Sequence, residues 1–208
     1  GVNIIGPASG EQACGEVGMG RMLEACELME AVQAFFQGGI LQGQTVLVTA
    51  GPTFEAIDAV RGITNSSSGK MGYAIAQAAV EAGAQVILVS GPTCLTPPAV
   101  DKFIRVVSAV DMLNAVQAEI AHTDIFISVA AVADYRVANI SQQKLKKSDQ
   151  NLSLELIPNQ DILMTVSNLP TPPFCVGFAA ETEHLEKNAD AKRRKKKLPL
   201  LVANWAQD

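Results

Sequence analysis

Residues Thr45–Ala82 read TVLVTAGPTFEAIDAVRGITNSSSGKMGYAIAQAAVEA, and the fold follows from how this stretch divides. Thr45–Thr49 is a β-branched, apolar run of buried-strand length, closed by the breaker Ala50-Gly51-Pro52. A polar loop leads to Asn65-Ser66-Ser67-Ser68-Gly69, and Met71–Ala82 then carries apolar residues at helical spacing among good helix formers. The order is strand, long polar loop, helix. A helix start presents unpaired N–H groups and the positive end of the macrodipole to the loop before it. The hydroxyls of Ser66, Ser67 and Ser68, the backbone of Gly69 and the cation of Lys70 suit an anion there, above all a phosphate. The same residues also read as an N-cap (Ser68) followed by a loop glycine, and spacing leaves both readings open.

Two known phosphate motifs do not fit. A Walker A loop needs four residues between its glycines and Ser or Thr after the lysine, whereas Gly62 and Gly69 enclose six and Met71 follows Lys70. A dinucleotide fingerprint needs Gly-x-Gly-x-x-Gly directly after the strand, where this chain has Gly51 alone.

Outward from the centre the pattern repeats. Strands are expected at 84–90, 104–107, 124–133, 174–181 and 200–203, with helices at 110–122, 160–168 and 183–197. The run DIFISVAAVA (124–133) is too continuous for a surface strand. Alternation of this kind implies an α/β fold: a doubly wound, Rossmann-like, mostly parallel sheet with helices on both faces. From it protrudes a polar arm, 135–148, continued by the alternating strand NLSLELI (151–157). Ligands of such sheets bind beyond the carboxyl ends of the strands where strand order reverses. That rule puts Asp134, after the 124–133 run, beside the Asn65 loop; a capping or ion-pair role is the competing reading for this carboxylate. Residues 1–44, Gly-rich and then one amphipathic helix at 21–36, cannot fold alone.

The chain has 208 residues, 48% of them hydrophobic, and a formal net charge of -5. It can bury one full core. The acidic balance argues against nucleic-acid or membrane-surface binding and for a small partner. With no apolar run of membrane-helix length, a soluble, cytoplasmic protein is expected. The four cysteines, Cys14, Cys26, Cys94 and Cys175, are scattered and only two histidines are present, which argues against a disulfide framework or structural zinc.

The run Gly51-Pro52-Thr53, Glu55, Asp58, Val60-Arg61, Thr64-Asn65, Ser67-Ser68-Gly69-Lys70-Met71-Gly72 closely resembles phosphopantothenoylcysteine synthetase, the ligase half of a bifunctional bacterial coenzyme A protein. Gly10-x-x-x-Cys14-Gly15-Glu16-x-Gly18-x-Gly20-Arg21-Met22 resembles the closing motif of the flavin-dependent decarboxylase that precedes it, with Glu16 where Asp is usual. The resemblance implies a decarboxylase remnant over 1–44, with the FMN site elsewhere and Cys14 as a vestigial proton donor. It implies a ligase domain over 45–208 with an incomplete C-terminus.

By the same resemblance, 4'-phosphopantothenate is joined to L-cysteine with CTP and Mg2+, through an acyl-cytidylate. Asn65 handles the acyl intermediate. Lys144 is the first lysine of the Lys144-Leu145-Lys146-Lys147 arm, which closes over the site. Gly51, Ser67, Ser68, Gly69, Lys70, Lys192 and Lys196 serve the phosphates, and Ser128, Val129, Ala130, Phe178 and Asp134 the base and ribose. Asn159, Gln160, Asp161, Ile162 and Leu163 stand where the family has its Asn-Pro-Asp-Ile-Val turn, with Gln160 in place of the proline. The resemblance further implies a homodimer in which the arm reaches the neighbouring subunit. On spacing alone, an NAD(P)-dependent oxidoreductase and a non-catalytic nucleotide-binding module remain alternatives.

Overall fold

A computed structural model describes residues 4–11, 15–37, 39–147 and 151–205. An N-terminal hairpin, β1 (Ala8–Glu11) and β2 (Val17–Arg21), precedes helix α1 (Ala25–Gln37). The stretch read as a Gly-rich loop thus contains a two-stranded ribbon, with Gly10 opposite Gly18. Cys14 lies outside the described residues.

From β3 (Thr45–Ala50) the chain forms β4 (Phe54–Ala56), β5 (Gly62–Thr64), α2 (Lys70–Glu81), β6 (Gln85–Ser90), β7 (Lys102–Arg105) and α3 (Ala109–Glu119). It continues through β8 (Ile125–Ser128), β9 (Tyr135–Val137), β10 (Leu156–Pro158), α4 (Ile162–Ser167), β11 (Phe174–Glu181), α5 (Leu185–Lys195) and β12 (Leu200–Trp205). Six strands pair in the order β12-β11-β8-β3-β6-β7, every pair parallel. The chain therefore builds outward from β3 in one direction, then crosses back to build β8, β11 and β12 in the other. The reversal falls between β3 and β8, where such sheets bind ligands.

Side chains alternate across β3. Val46, Val48 and Ala50 enter one buried cluster with Tyr73 and Ala76 of α2, while Leu47 enters another with Met112 of α3, Phe126 of β8 and Val166 of α4. Helices thus cover both faces, as the unbroken apolar strands require. Cys175 is buried in the second cluster, and burial pushes its thiol up to about 11, the state of an inert packing residue.

Two expectations are corrected. The 124–133 strand is regular only to Ser128. Beyond it the chain follows the turn after β3: the Ala131 N–H donates to Gly51 O at 2.9 Å, the Thr53 N–H to Ala131 O at 3.2 Å, and the Ala133 N–H to the buried Thr53 hydroxyl at 3.0 Å. The backbone pairs there in a single parallel bridge, Pro52 with Ala131, and the Thr53 hydroxyl then takes the Ala133 N–H in place of a backbone carbonyl, which ends the ladder. The strand read over 151–157 pairs only at 156–158, against β9. Residues 139–147 peel away instead towards the β4–β5 hairpin, where the Ser141 N–H donates to Ile57 O at 3.1 Å, so 151–154 have no strand opposite them.

Asp58 holds that arm down. Its buried carboxylate accepts from the N–H groups of Val60 (2.9 Å), Arg61 (2.8 Å) and Leu145 (3.0 Å), and from the Arg61 guanidinium, which also donates to Leu145 O at 2.7 Å. The Arg61 guanidinium foremost, outweighing burial and helped by the three N–H groups, holds this carboxyl well below the usual carboxylate range. A depressed folded-state pKa means that the stabilisation is complete above the unfolded value, about 3.9, and is lost as pH falls below it. Urea unfolding between pH 7 and pH 3 should therefore show stability falling on the acid side. Asp58→Asn should be less stable at pH 7 and have a shallower acid slope; an unchanged slope in that variant would show that Asp58 carries none of it.

Candidate active site

The cleft at the β3/β8 reversal has a volume of about 670 Å³, within the range of small-ligand sites. Its first wall is the start of α2. Gly69, at φ +78°, is the N-cap in a left-handed conformation that suits glycine, and it uses no side-chain cap. The Ser67 hydroxyl accepts from the Gly69 N–H at 3.3 Å and the Ser68 hydroxyl from the Lys70 N–H at 3.4 Å. Both contacts are long, and the first regular helical bond is the Tyr73 N–H to Gly69 O at 3.1 Å. The helix start thus faces the cleft with Gly69, not Ser68, at its N-cap. Gly51, Ser67, Ser68, Gly69 and Lys70 all line this wall, joined by Ser66, Met71 and Gly72.

The second wall is the segment after β8. Ser128, Val129 and Ala130 line it, and Asp134 closes its far end with an exposed carboxylate that makes no hydrogen bond or ion pair among the described residues. Asn159 fixes this segment: its Nδ2 donates to Ala133 O at 2.8 Å and its N–H to Asp134 O at 2.7 Å, while the Arg136 guanidinium donates to its Oδ1 at 2.9 Å. The sequence marks Asn159 as the first residue of the turn before α4, and its hold on Ala133 and Asp134 is visible only in the structure.

The third wall comes from the distal half of the sheet. Gln160, Asp161, Ile162 and Leu163 open α4, and the Asp161 carboxylate caps it by accepting from the Met164 N–H at 2.9 Å. The missing proline leaves this N-cap intact. Lys192 in the last turn of α5 and Lys196 at its C-cap reach across to the same cleft. Lys192 Nζ donates to Phe178 O at 3.4 Å, and Lys196 Nζ stands 2.7 Å from Asp161 Oδ2. Burial pushes the Asp161 carboxyl up; the Lys196 hydrogen bond, the Met164 N–H and the charges of Lys196 and Lys192 outweigh it and leave the carboxyl below its ordinary value. Phe178, Ala180 and Asn204 complete the wall; Asn204 was readable only as the end of the last strand.

Two residues assigned to catalysis lie outside the lining. Asn65 is exposed at the rim, and its Nδ2 donates to Ala131 O at 2.9 Å. The neighbouring Thr64 hydroxyl donates to Thr53 O at 2.7 Å, which fixes the loop so that Asn65 bridges the first and second walls rather than pointing freely into the cleft. Lys144 is exposed on the arm, next to Leu145 and its Asp58 anchor.

The arrangement brings three cations, an open helix start and a free carboxylate around one hollow. Such a set holds several phosphate charges at one end and a polar, uncharged group at the other. It does not make a resident metal cage: no group of three or more His, Cys, Asp or Glu is found among the described residues, and Asp161 is already committed to Lys196. No helix among the described residues is long and apolar enough to cross a membrane.

The same architecture recurs in a crystal structure of the C-terminal domain of the coenzyme A biosynthesis bifunctional protein CoaBC. It superposes with a TM-score of 0.71 at 48% identity, over 79% of this chain and 78% of that one. In sequence the chain is 55% identical over 207 residues to the coenzyme A biosynthesis bifunctional protein CoaBC of Vibrio vulnificus strain YJ016, and 46% identical over 209 residues to that of Escherichia coli K12. Both alignments take in 98% of this chain and 52% of the relative, so the chain spans about half the length of these curated relatives. Residues 41–208 match one family throughout, and the chain belongs to it: the DNA/pantothenate metabolism flavoprotein C-terminal domain family.

Proposed function

We propose that residues 45–208 form a phosphopantothenate–cysteine ligase domain that uses CTP, with 1–44 belonging to the preceding decarboxylase unit. The observation that carries this reading is the convergence of Lys70, Lys192, Lys196 and the open start of α2 on the cleft at the strand-order reversal. The similarity to coenzyme A biosynthesis bifunctional proteins supports this reading.

A carboxylate is a poor electrophile, so amide formation needs activation. A carboxylate oxygen of 4'-phosphopantothenate attacks the α-phosphorus of CTP, and the bond from that phosphorus to the bridging oxygen breaks to release pyrophosphate. The cysteine amine then attacks the acyl carbon, CMP leaves with the C–O bonding pair, and the amine loses its proton. Both steps gather negative charge, which cations and helix N–H groups already in place stabilise without reorganisation. The start of α2 with Lys70 takes one end of the triphosphate and Lys192 with Lys196 the other. Asn65, bridging the first and second walls, has one amide hydrogen and its Oδ1 left for the acyl group, and Lys144 closes from the arm. Magnesium, where bound with the triphosphate, would supply further neutralisation of that charge. The exposed Ile140, Leu152 and Leu154 of the arm support a homodimer through this segment.

The dinucleotide-oxidoreductase alternative has no counterpart in this geometry, because the Gly51 turn leads into the β4–β5 hairpin and not directly into a helix. The test is CTP with 4'-phosphopantothenate in the absence of cysteine, with ATP in parallel. The ligase should release pyrophosphate and convert the held acyl group to an amide when cysteine is added. No pyrophosphate from either nucleotide would sink the reading, and release from ATP alone would sink the choice of CTP.

A further inference from the structure

The chain contains a second Gly-Pro-Thr, Gly91-Pro92-Thr93, which closes β6 as Gly51-Pro52-Thr53 closes β3. The two strands are neighbours, with Ala50 opposite Ser90, and the Gly91 N–H donates to Ala50 O at 3.0 Å. The turns interlock: a Cβ on Gly91 would stand 1.8 Å from Pro52 O, and one on Gly51 would stand 2.8 Å from the Thr93 methyl. A Cβ on Gly69 would meet the same methyl, also at 2.8 Å, and Gly51 Cα at 3.3 Å. One methyl group therefore sits against both glycines that shape the phosphate end of the cleft. Thr93 itself does not line that cleft, while Gly51 and Gly69 do.

The other branch of Thr93 is tied down. Its hydroxyl donates to the Tyr73 hydroxyl at 3.1 Å and accepts from the Leu95 N–H at 3.3 Å. The Tyr73 hydroxyl donates to Ser90 Oγ at 3.1 Å, and Ser90 Oγ to Gly91 O at 2.9 Å. Tyr73 and Ser90 are both buried. The chain of three hydroxyls begins on the turn after β6, passes through the first turn of α2 and ends on the turn after β6 again. A β-branched side chain with its hydroxyl anchored has one rotamer open to it, so the methyl direction is fixed.

We infer that Thr93 is a positioning residue for nucleotide binding: its methyl sets the separation of Gly51 from the left-handed Gly69 turn, and the β-branch itself is enough to keep a methyl there. The inference rests on the nucleotide reading above. It predicts that the two branches of one side chain separate experimentally. Thr93→Ser keeps the hydroxyl and removes the methyl; Thr93→Val keeps a methyl and removes the hydroxyl. A shift of the Gly69 turn by a fraction of an ångström displaces the helix start from the phosphates, and displacements of that order weaken a bound geometry by about tenfold.

Steady-state kinetics on the whole chain test this, with calorimetric titration of CTP and of inorganic pyrophosphate. Thr93→Ser should raise KM for CTP by about tenfold and weaken both titrations, leaving KM for 4'-phosphopantothenate and for cysteine within about twofold. Thr93→Val should recover most of the loss. An unchanged KM for CTP in Thr93→Ser, an equal rise in all three KM values, or a Thr93→Val as weak as Thr93→Ser would each overturn the inference alone. A parent chain that titrates with neither CTP nor pyrophosphate would overturn the nucleotide reading, and this inference with it.

Discussion

Lys196→Met should lower kcat/KM by about two to three orders of magnitude while moving the melting temperature by no more than a few degrees. Removing one well-placed donor from a developing charge typically has an effect of about 10²–10³ on the chemical step. Methionine keeps an apolar stem of similar length and removes only the cation. The Lys196 side chain is 16% exposed and its partner Asp161 is 41% exposed, so the ion pair itself contributes at most about 1 kcal/mol to stability. The companion variant separates two explanations. If Lys196 matters only because it holds Asp161 at the N-cap of α4, Asp161→Asn should be as damaging as Lys196→Met. If the cation acts on the nucleotide, Asp161→Asn should lose about tenfold or less, because asparagine still caps the helix and Lys196 is freed towards the phosphates. Equal losses in the two variants would remove Lys196 from the binding machinery.

Gly91→Ala should be the most destabilising single-methyl change in the sheet's carboxyl-end turns. The added Cβ would lie 1.8 Å from Pro52 O and 2.8 Å from Pro52 C. Both contacts are with backbone held by the β3–β6 register, so no side chain can swing away to relieve them. Gly91 has no left-handed backbone angle, which makes the penalty steric and not conformational. Overpacking of this kind costs about 3 kcal/mol, and for a chain of this size that is a fall of roughly 6–12 °C in melting temperature. Gly43→Ala supplies the contrast: its φ is +80° and nothing lies within 4 Å of the added Cβ, so only the backbone term, about 1–2 kcal/mol, applies. Calorimetric melting of both variants checks the ranking, and a Gly91→Ala protein that melts with the parent would show that the two turns are not interlocked.

Much of this was written into local sequence. β3 and α2 could be read from Thr45–Ala82 because a buried parallel strand and an amphipathic helix leave different periodicities, and the Ala50-Gly51-Pro52 breaker marked the boundary between them. β11 was legible to its end residues, since Phe174–Glu181 is bounded by Pro-Pro on one side and Thr-Glu-His on the other. The hairpin of β4 and β5 was not, because three-residue strands have too few positions to show a period. Nor was the end of β8: Val129–Ala133 is as apolar as the strand before it, and only the Thr53 side chain of the facing turn, which takes the Ala133 N–H, makes it irregular.

Hydrophobic period and turn residues thus determined the fold class and its main strands, because each is a property of a few neighbouring side chains, while the distant lysines of the cleft, Lys192 and Lys196, were expected from the family resemblance. What required the tertiary structure was how those residues are engaged: Asn65 held to Ala131, Asp161 shared between a helix cap and Lys196, and the Thr93 methyl set between Gly51 and Gly69. Each of these joins segments tens of residues apart. A hydrogen bond or a van der Waals contact acts over a few ångströms, so nothing short of the folded chain decides which distant atoms come within its reach.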